Sequence, residues 1–116
     1  MRRKGSFMFK VFAGVVLCVV MAAPAAAQDA KVVHGAKVYA DQKCALCHSI
    51  GDKGNKKGPL DGVASKLKAE ELREWIVDAN AMTVKTKALR KPVMKAYTLP
   101  KEDVDALVAY MMTLKK

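Results

Sequence analysis

The sequence is organised around one short segment, Cys44-Ala45-Leu46-Cys47-His48, which reads C-x-x-C-H. It places two thiols three positions apart and an imidazole directly after the second thiol. A cysteine pair at this spacing is compatible with several kinds of site, and each kind needs different residues around it. The rest of the chain therefore has to decide what the pair does.

Three of these uses lack their remaining parts in this sequence. A structural zinc site takes four ligands, and the only other histidine is His34, ten residues before Cys44. A thioredoxin-like pair needs a βαβ setting, and no segment here alternates like a strand. A plain disulfide gives His48 no role. C-x-x-C-H is instead typical of c-type haem attachment, in which two thiols add to two vinyl groups and the histidine reaches the iron. The motif predicts one haem c, attached through Cys44 and Cys47, with His48 as an iron ligand.

Length and composition agree with a small domain. The chain has 116 residues, a formal charge of +10, 52% hydrophobic residues and three cysteines. These values allow one domain at most and exclude a disordered acidic tail or a collagen-like repeat. Three cysteines are too few for a disulfide framework.

Residues 1–27 are typical of a secretory signal peptide. Four basic residues and no acidic one precede an apolar run over 11–23. Ala25-Ala26-Ala27 then supplies a cleavage site. An uncleaved membrane anchor is the alternative, but thirteen helical residues span only about 20 Å of a hydrocarbon core of roughly 30 Å. We expect cleavage after Ala27, loss of Cys18 with the leader, and a periplasmic domain over residues 28–116. Removing four basic residues and no acidic one lowers the net charge to +6.

Helical periods dominate the domain, so we predict an all-α fold. Apolar residues share one face over 30–43, glycines and lysines make a loop of 49–62, and a short helical stretch is expected at 63–68. A stripe from Leu72 to Ala79 predicts a third helix, and the pattern then fades from Met82 to Leu99. The last helix starts near Pro100 and carries its stripe to Leu114. Loops this long in a small domain usually wrap a ligand.

With these features, the chain resembles the class I monohaem c-type cytochromes, which are soluble electron carriers rather than enzymes. Gly35 and Tyr39 match the glycine and aromatic residue of the family's N-terminal helix, and Leu107 and Tyr110 match the C-terminal helix that crosses it. The resemblance implies a cytochrome c-like fold with crossing terminal helices, one or two short helices, and long loops around a covalent haem. Close crossing would explain why a glycine is tolerated at Gly35.

The resemblance also implies further cofactor-binding residues. Gly58-Pro59 is similar to the family's Gly-Pro after the haem motif, so the Pro59 carbonyl is expected to accept the second ring proton of His48 and fix the orientation of the imidazole. Met94 lies in a non-periodic segment similar to the family's ligand loop and is expected as the sixth iron ligand, with Met82 as the alternative. Trp75 is expected in the wall of the haem pocket or in the core.

Basic residues flank both segments expected around the haem. No acid occurs between Asp78 and Glu102, and the two lysine-rich groups are Lys53, Lys56 and Lys57, then Lys85, Lys87, Arg90, Lys91 and Lys95. We expect a monomer that docks with acidic redox partners, and no binding of nucleic acid. The leading hypothesis is a one-electron carrier. The alternatives are a haem-based gas sensor, a small subunit of a larger redox enzyme, or a non-haem structural protein.

Overall fold

The computed structural model describes Gly14 and residues 23–116. Most of the predicted leader, including its basic residues and Cys18, lies outside the described residues. Cleavage after Ala27 therefore stays a prediction. In the part of the chain that the structure describes, no helix combines the length and the apolarity needed to cross a membrane.

Helix α1 spans Ala23–Asp41 and is longer than the sequence pattern predicts. Residues 25–30 are exposed, so this first part of the helix contributes nothing to the core. The helix ends before the C-x-x-C-H motif, where Lys43 takes a left-handed conformation with φ of 55°. The motif then begins in a short 3-10 turn, Cys44–Leu46, immediately after the helix.

A two-stranded antiparallel hairpin follows the motif. Strand β1 is Ser49–Ile50 and strand β2 is Lys53–Gly54, with Ser49 paired to Gly54 and Ile50 to Lys53. The sequence did not indicate these strands, because two residues are too few to show an alternating pattern. A second 3-10 turn, Val63–Ser65, lies within the short helical stretch predicted over 63–68.

The predicted third helix is two helices. Helix α2 spans Ala69–Val77 and helix α3 spans Ala79–Thr86. Asp78 separates them, since its non-helical backbone ends α2 while its side chain accepts a hydrogen bond from the Ala81 amide at 3.3 Å and caps α3. The apolar pattern fades from Met82, yet residues 82–86 are helical and complete α3.

Helix α4 spans Lys101–Met111 and crosses α1. Gly35 lies at the crossing, where a Cβ would clash with the Ala106 carbonyl oxygen and come within 2.7 Å of the Tyr110 Cβ. Close to this point the Tyr39 and Tyr110 rings meet edge to face, with centroids 5.8 Å apart. The predicted close crossing of the terminal helices at Gly35 is confirmed.

The hydrophobic core lies where α1, α2 and α4 meet. Its buried members are Val38, Leu72, Ile76, Val104, Leu107, Val108 and Met111. An ion pair between Arg73 and Asp105 also joins α2 to α4, and the hydrogen bond from Lys101, followed by that from Arg73, lowers the pKa of the Asp105 carboxyl. The mostly helical arrangement confirms the predicted cytochrome c-like fold class.

Candidate functional site

The C-x-x-C-H motif forms one tight turn that positions three reactive side chains. The Cys44 carbonyl accepts hydrogen bonds from the Cys47 amide at 3.1 Å and from the His48 amide at 2.9 Å. Cys44 and Cys47 form no disulfide, and both are free thiols. The turn thus presents two reduced sulfur atoms and one imidazole from five consecutive residues.

The imidazole of His48 is held by the loop that follows the motif. Its Nδ1 donates a hydrogen bond to the Gly58 carbonyl oxygen at 3.0 Å. Because a carbonyl can only accept, the proton is on Nδ1 and the Nε2 lone pair is free for a metal. The prediction that the Pro59 carbonyl is the acceptor was wrong by one residue.

A bridge between Ser49 and the loop at Pro59 explains this one-residue shift. Ser49 donates its amide to the Gly58 carbonyl at 3.1 Å, and Leu60 donates its amide to the Ser49 carbonyl at 2.8 Å. These bonds align Ser49 with Pro59 and turn the Gly58 carbonyl toward the segment that carries His48. Pro59 is exposed and lines neither cavity described below.

Burial sets the protonation of His48 and of Cys44. It lowers the pKa of His48 and so favours the neutral imidazole that a metal ligand requires, although the Gly58 hydrogen bond partly opposes this shift. Burial also raises the pKa of the Cys44 thiol, which favours the protonated form. The pair therefore consists of a neutral nitrogen donor beside a protonated thiol.

Two cavities meet at the motif. The first has a volume of about 210 Å³ and is lined mainly by apolar side chains of α2 and α4, among them Leu72, Trp75 and Leu107. The second has a volume of about 440 Å³ and lies between the motif and residues 88–97. Cys44, His48 and Met94 line both cavities, so together the two form one crevice, which we call the motif crevice. The structure thus places Trp75 in the wall of the crevice, as one of the two expectations had it.

The candidate sixth ligands occupy different places. Met94 is half-buried and faces the crevice, whereas Met82 is only 2% exposed and lines neither cavity. Met111 is a buried core residue that also reaches the wall of the first cavity. His34 lies away from the crevice, where its Nε2 is 2.7 Å from an oxygen of Asp103.

Sequence reasoning missed two residues at the crevice. Arg90, which had been counted only as a surface charge, donates a hydrogen bond from Nη2 to the Cys47 carbonyl. The Tyr39 hydroxyl is buried and has no hydrogen-bond partner in the described part of the chain, and burial raises the pKa of Tyr39 to about 12. No sequence signal places either residue at the crevice, since the crevice is formed by segments far apart in the chain.

The donor set of the crevice suits haem better than a lone metal ion. Within residues 23–116, no three His, Cys, Asp or Glu side chains come together as a metal site would require. What the crevice offers is one free imidazole nitrogen, the thioethers of Met94 and Met111, two thiols and an apolar wall, which match the needs of an iron porphyrin. An orphaned hydroxyl at Tyr39 on that wall also indicates that the cavity takes a ligand.

Crossing terminal helices and an apolar crevice at a C-x-x-C-H turn define a haem-binding protein of the c type. Residues 32–115 match the family model described as Cytochrome c, and the chain belongs to this family as a class I c-type cytochrome. It is accordingly a haem-binding electron-transfer protein, and the family implies haem c as its cofactor. No curated protein and no solved structure matches the chain.

Proposed function

We propose that the protein is a periplasmic one-electron carrier whose haem c is attached through Cys44 and Cys47 and ligated by His48 and Met94. The observation that carries the proposal is that Cys44, His48 and Met94 line the same crevice. Bound haem supplies the one-electron chemistry of its iron. The chain's residues would attach it, would provide its two iron ligands and would surround it with an apolar wall.

Both thiols are available for attachment. Each would add its sulfur and its hydrogen across one vinyl double bond to give a thioether, so no atom leaves and no oxidant is consumed. This addition needs reduced thiols, and the structure has both cysteines free. Cys47 is exposed and Cys44 is half-buried at the crevice, which leaves one anchor near the surface and one inside.

Replacing both anchors tests the attachment. In Cys44→Ser/Cys47→Ser, we expect no haem to remain with the polypeptide after denaturing electrophoresis, because a hydroxyl does not form the thioether. Cys18→Ser is the matched control and should retain haem in full, since Cys18 is expected to leave with the leader. Haem staining and the mass of the purified protein measure both the cofactor and the predicted cleavage after Ala27. Haem that stays bound in the double variant would contradict the assignment.

Histidine and methionine ligation would suit electron transfer. A thioether ligand favours ferrous iron and raises the reduction potential relative to a second imidazole. Two protein ligands also leave no open position for a substrate or gas. Rapid CO binding to the reduced wild-type protein would instead favour a gas sensor.

The surface around Cys47 is arranged for docking. Exposed apolar side chains lie beside the motif, with Leu46 72% exposed and Val93 39% exposed, and both line the mouth of the second cavity. Arg90 and Lys95 line the same cavity, and the other members of the two lysine-rich groups are exposed, namely Lys53, Lys56, Lys57, Lys85, Lys87 and Lys91. Apolar side chains with basic neighbours fit an acidic redox partner.

Salt dependence tests this docking surface. We expect the rate of electron transfer to an acidic partner to fall by about tenfold or more as ionic strength rises from 10 to 200 mM, because screening weakens electrostatic steering. Stopped-flow spectroscopy measures the rate. Small anionic reductants should show a weaker dependence, and the triple variant Lys85→Gln/Lys87→Gln/Lys91→Gln should reduce the slope. A rate that is insensitive to salt with every acidic partner would contradict the proposal.

A further inference from the structure

The segment that carries Met94 has few hydrogen bonds to the rest of the protein. At its start the Ala88 amide bonds to the Thr83 carbonyl at 3.0 Å, and at its end the Tyr97 amide bonds to the Ile76 carbonyl at 2.8 Å. Among the described residues, no backbone–backbone hydrogen bond involves residues 89–96. Met94 therefore lies in a segment of eight residues whose backbone forms no hydrogen bond with another backbone group in the described part of the chain.

One side chain fastens this span to the motif. Arg90 donates from Nη2 to the Cys47 carbonyl, and in the described part of the chain this is the one hydrogen bond that joins residues 89–96 to another segment. The same guanidinium packs on Gly58, where an added Cβ would clash with Nη1 and approach Cζ to 2.7 Å. Gly58 is the residue whose carbonyl accepts the proton of His48 Nδ1.

We propose that Arg90 is a positioning residue that holds the Met94 segment against the His48 loop and so limits how often Met94 leaves the haem iron. The inference rests on the proposed ligation by Met94. In the described part of the chain, Arg90 forms no hydrogen bond with His48 or Met94. It acts by joining the carbonyl just before His48 and the backbone at Gly58 to the span that contains Met94.

The shape of the side chain explains why an arginine stands here. A guanidinium can donate from one nitrogen while its flat face packs on a backbone that has no side chain, which a lysine ammonium cannot do. Gly58 provides such a backbone. Lysine at position 90 would keep the positive charge but would lose the planar group that packs on Gly58.

Carbon monoxide binding to the reduced haem protein measures how often Met94 leaves. We expect Arg90→Gln to bind CO about fivefold faster than wild type, because the variant loses one charge-assisted hydrogen bond at an exposed site. Arg90→Lys should fall between the two. Lys91→Gln is the matched control, since it removes one positive charge from the adjacent position, and we expect its rate to equal that of wild type.

Trypsin cleavage after Lys95 provides a readout that needs no axial ligand. Lys95 lies in the same span and is exposed, so its cleavage reports how far the segment leaves the protein surface. We expect the fragment that ends at Lys95 to form faster in Arg90→Gln than in Lys91→Gln. Mass spectrometry identifies this fragment separately from cleavage at other lysines.

The outcomes separate this proposal from the proposed function. If Arg90→Gln matches Lys91→Gln in both CO binding and cleavage, the positioning role of Arg90 is overturned while haem ligation stands. If Met94→Ala leaves the iron–thioether absorbance unchanged, Met94 is not the ligand, and the proposed effect of Arg90 on ligation fails with it. Faster cleavage and faster CO binding in Arg90→Gln alone support the proposal.

Discussion

Met94→Ala is expected to abolish the weak iron–thioether absorbance band of the ferric protein and to open the iron to CO in the ferrous protein. The reason is that Met94 is the thioether on the wall of both cavities that also include His48. Losing a soft ligand that favours ferrous iron should also lower the reduction potential. Absorbance spectroscopy, CO mixing and redox titration measure the three effects on the same sample.

Met82→Ala is the matched control, and its expected result is the reverse. Met82 is 2% exposed in the core, so its truncation should cost about 3 kcal/mol of unfolding free energy through lost burial and a cavity. The thioether band should remain, since Met82 lines neither cavity. Urea unfolding of both variants separates stability from ligation. A band that disappears in Met82→Ala and survives in Met94→Ala would reverse the assignment.

Gly35→Ala is expected to destabilise the protein by about 3 kcal/mol, although alanine has the higher helix propensity by about 1 kcal/mol. An added Cβ would clash with the Ala106 carbonyl oxygen and lie 2.6 Å from the Ala106 carbonyl carbon, so α1 and α4 would have to separate. These atoms belong to the backbone of α4 and cannot rotate away. Thermal and urea unfolding of the haem protein measure the loss.

Ala40→Gly provides the comparison within the same helix. Ala40 is exposed, so this reverse change tests propensity alone and should cost about 1 kcal/mol. If Gly35→Ala raised the stability instead, propensity would outweigh packing and the helices would not cross as closely as the structure indicates. The loss of unfolding free energy should be larger in Gly35→Ala than in Ala40→Gly, because Gly35 lies where α1 crosses α4.

The sequence predicted the elements whose patterns are long. The stripes from Leu72 to Ala79 and from Val104 to Leu114 identified helices that the structure contains, because a buried face recurs every three or four residues, although α2 ends at Val77 and α4 at Met111. It missed the break at Asp78, which consists of one residue with unusual backbone angles and leaves no gap in the apolar pattern. It also missed the hairpin, whose strands are held by pairing rather than by a buried face.

The candidate site divides in the same way. Cys44, Cys47 and His48 lie within five consecutive residues, so the sequence alone could predict that they act together. Which carbonyl accepts the His48 ring proton depends on how the loop pairs with Ser49. The sequence predicted the carbonyl of Pro59, and the structure shows that of Gly58. Arg90 could not have been found at all, because its partners are more than thirty positions away.

The sequence alone predicted the haem-attachment motif and the main helices, since each depends on neighbouring residues or on a regular period, whereas the close crossing at Gly35 was implied by the resemblance to the class I cytochromes. The fold was needed to show which methionine lines both cavities with His48, which carbonyl accepts the proton of its ring and which side chain forms a hydrogen bond from the Met94 segment to the motif. These are contacts between parts of the chain joined only by folding. No local pattern records them, because the same residues would have the same propensities wherever the fold placed them.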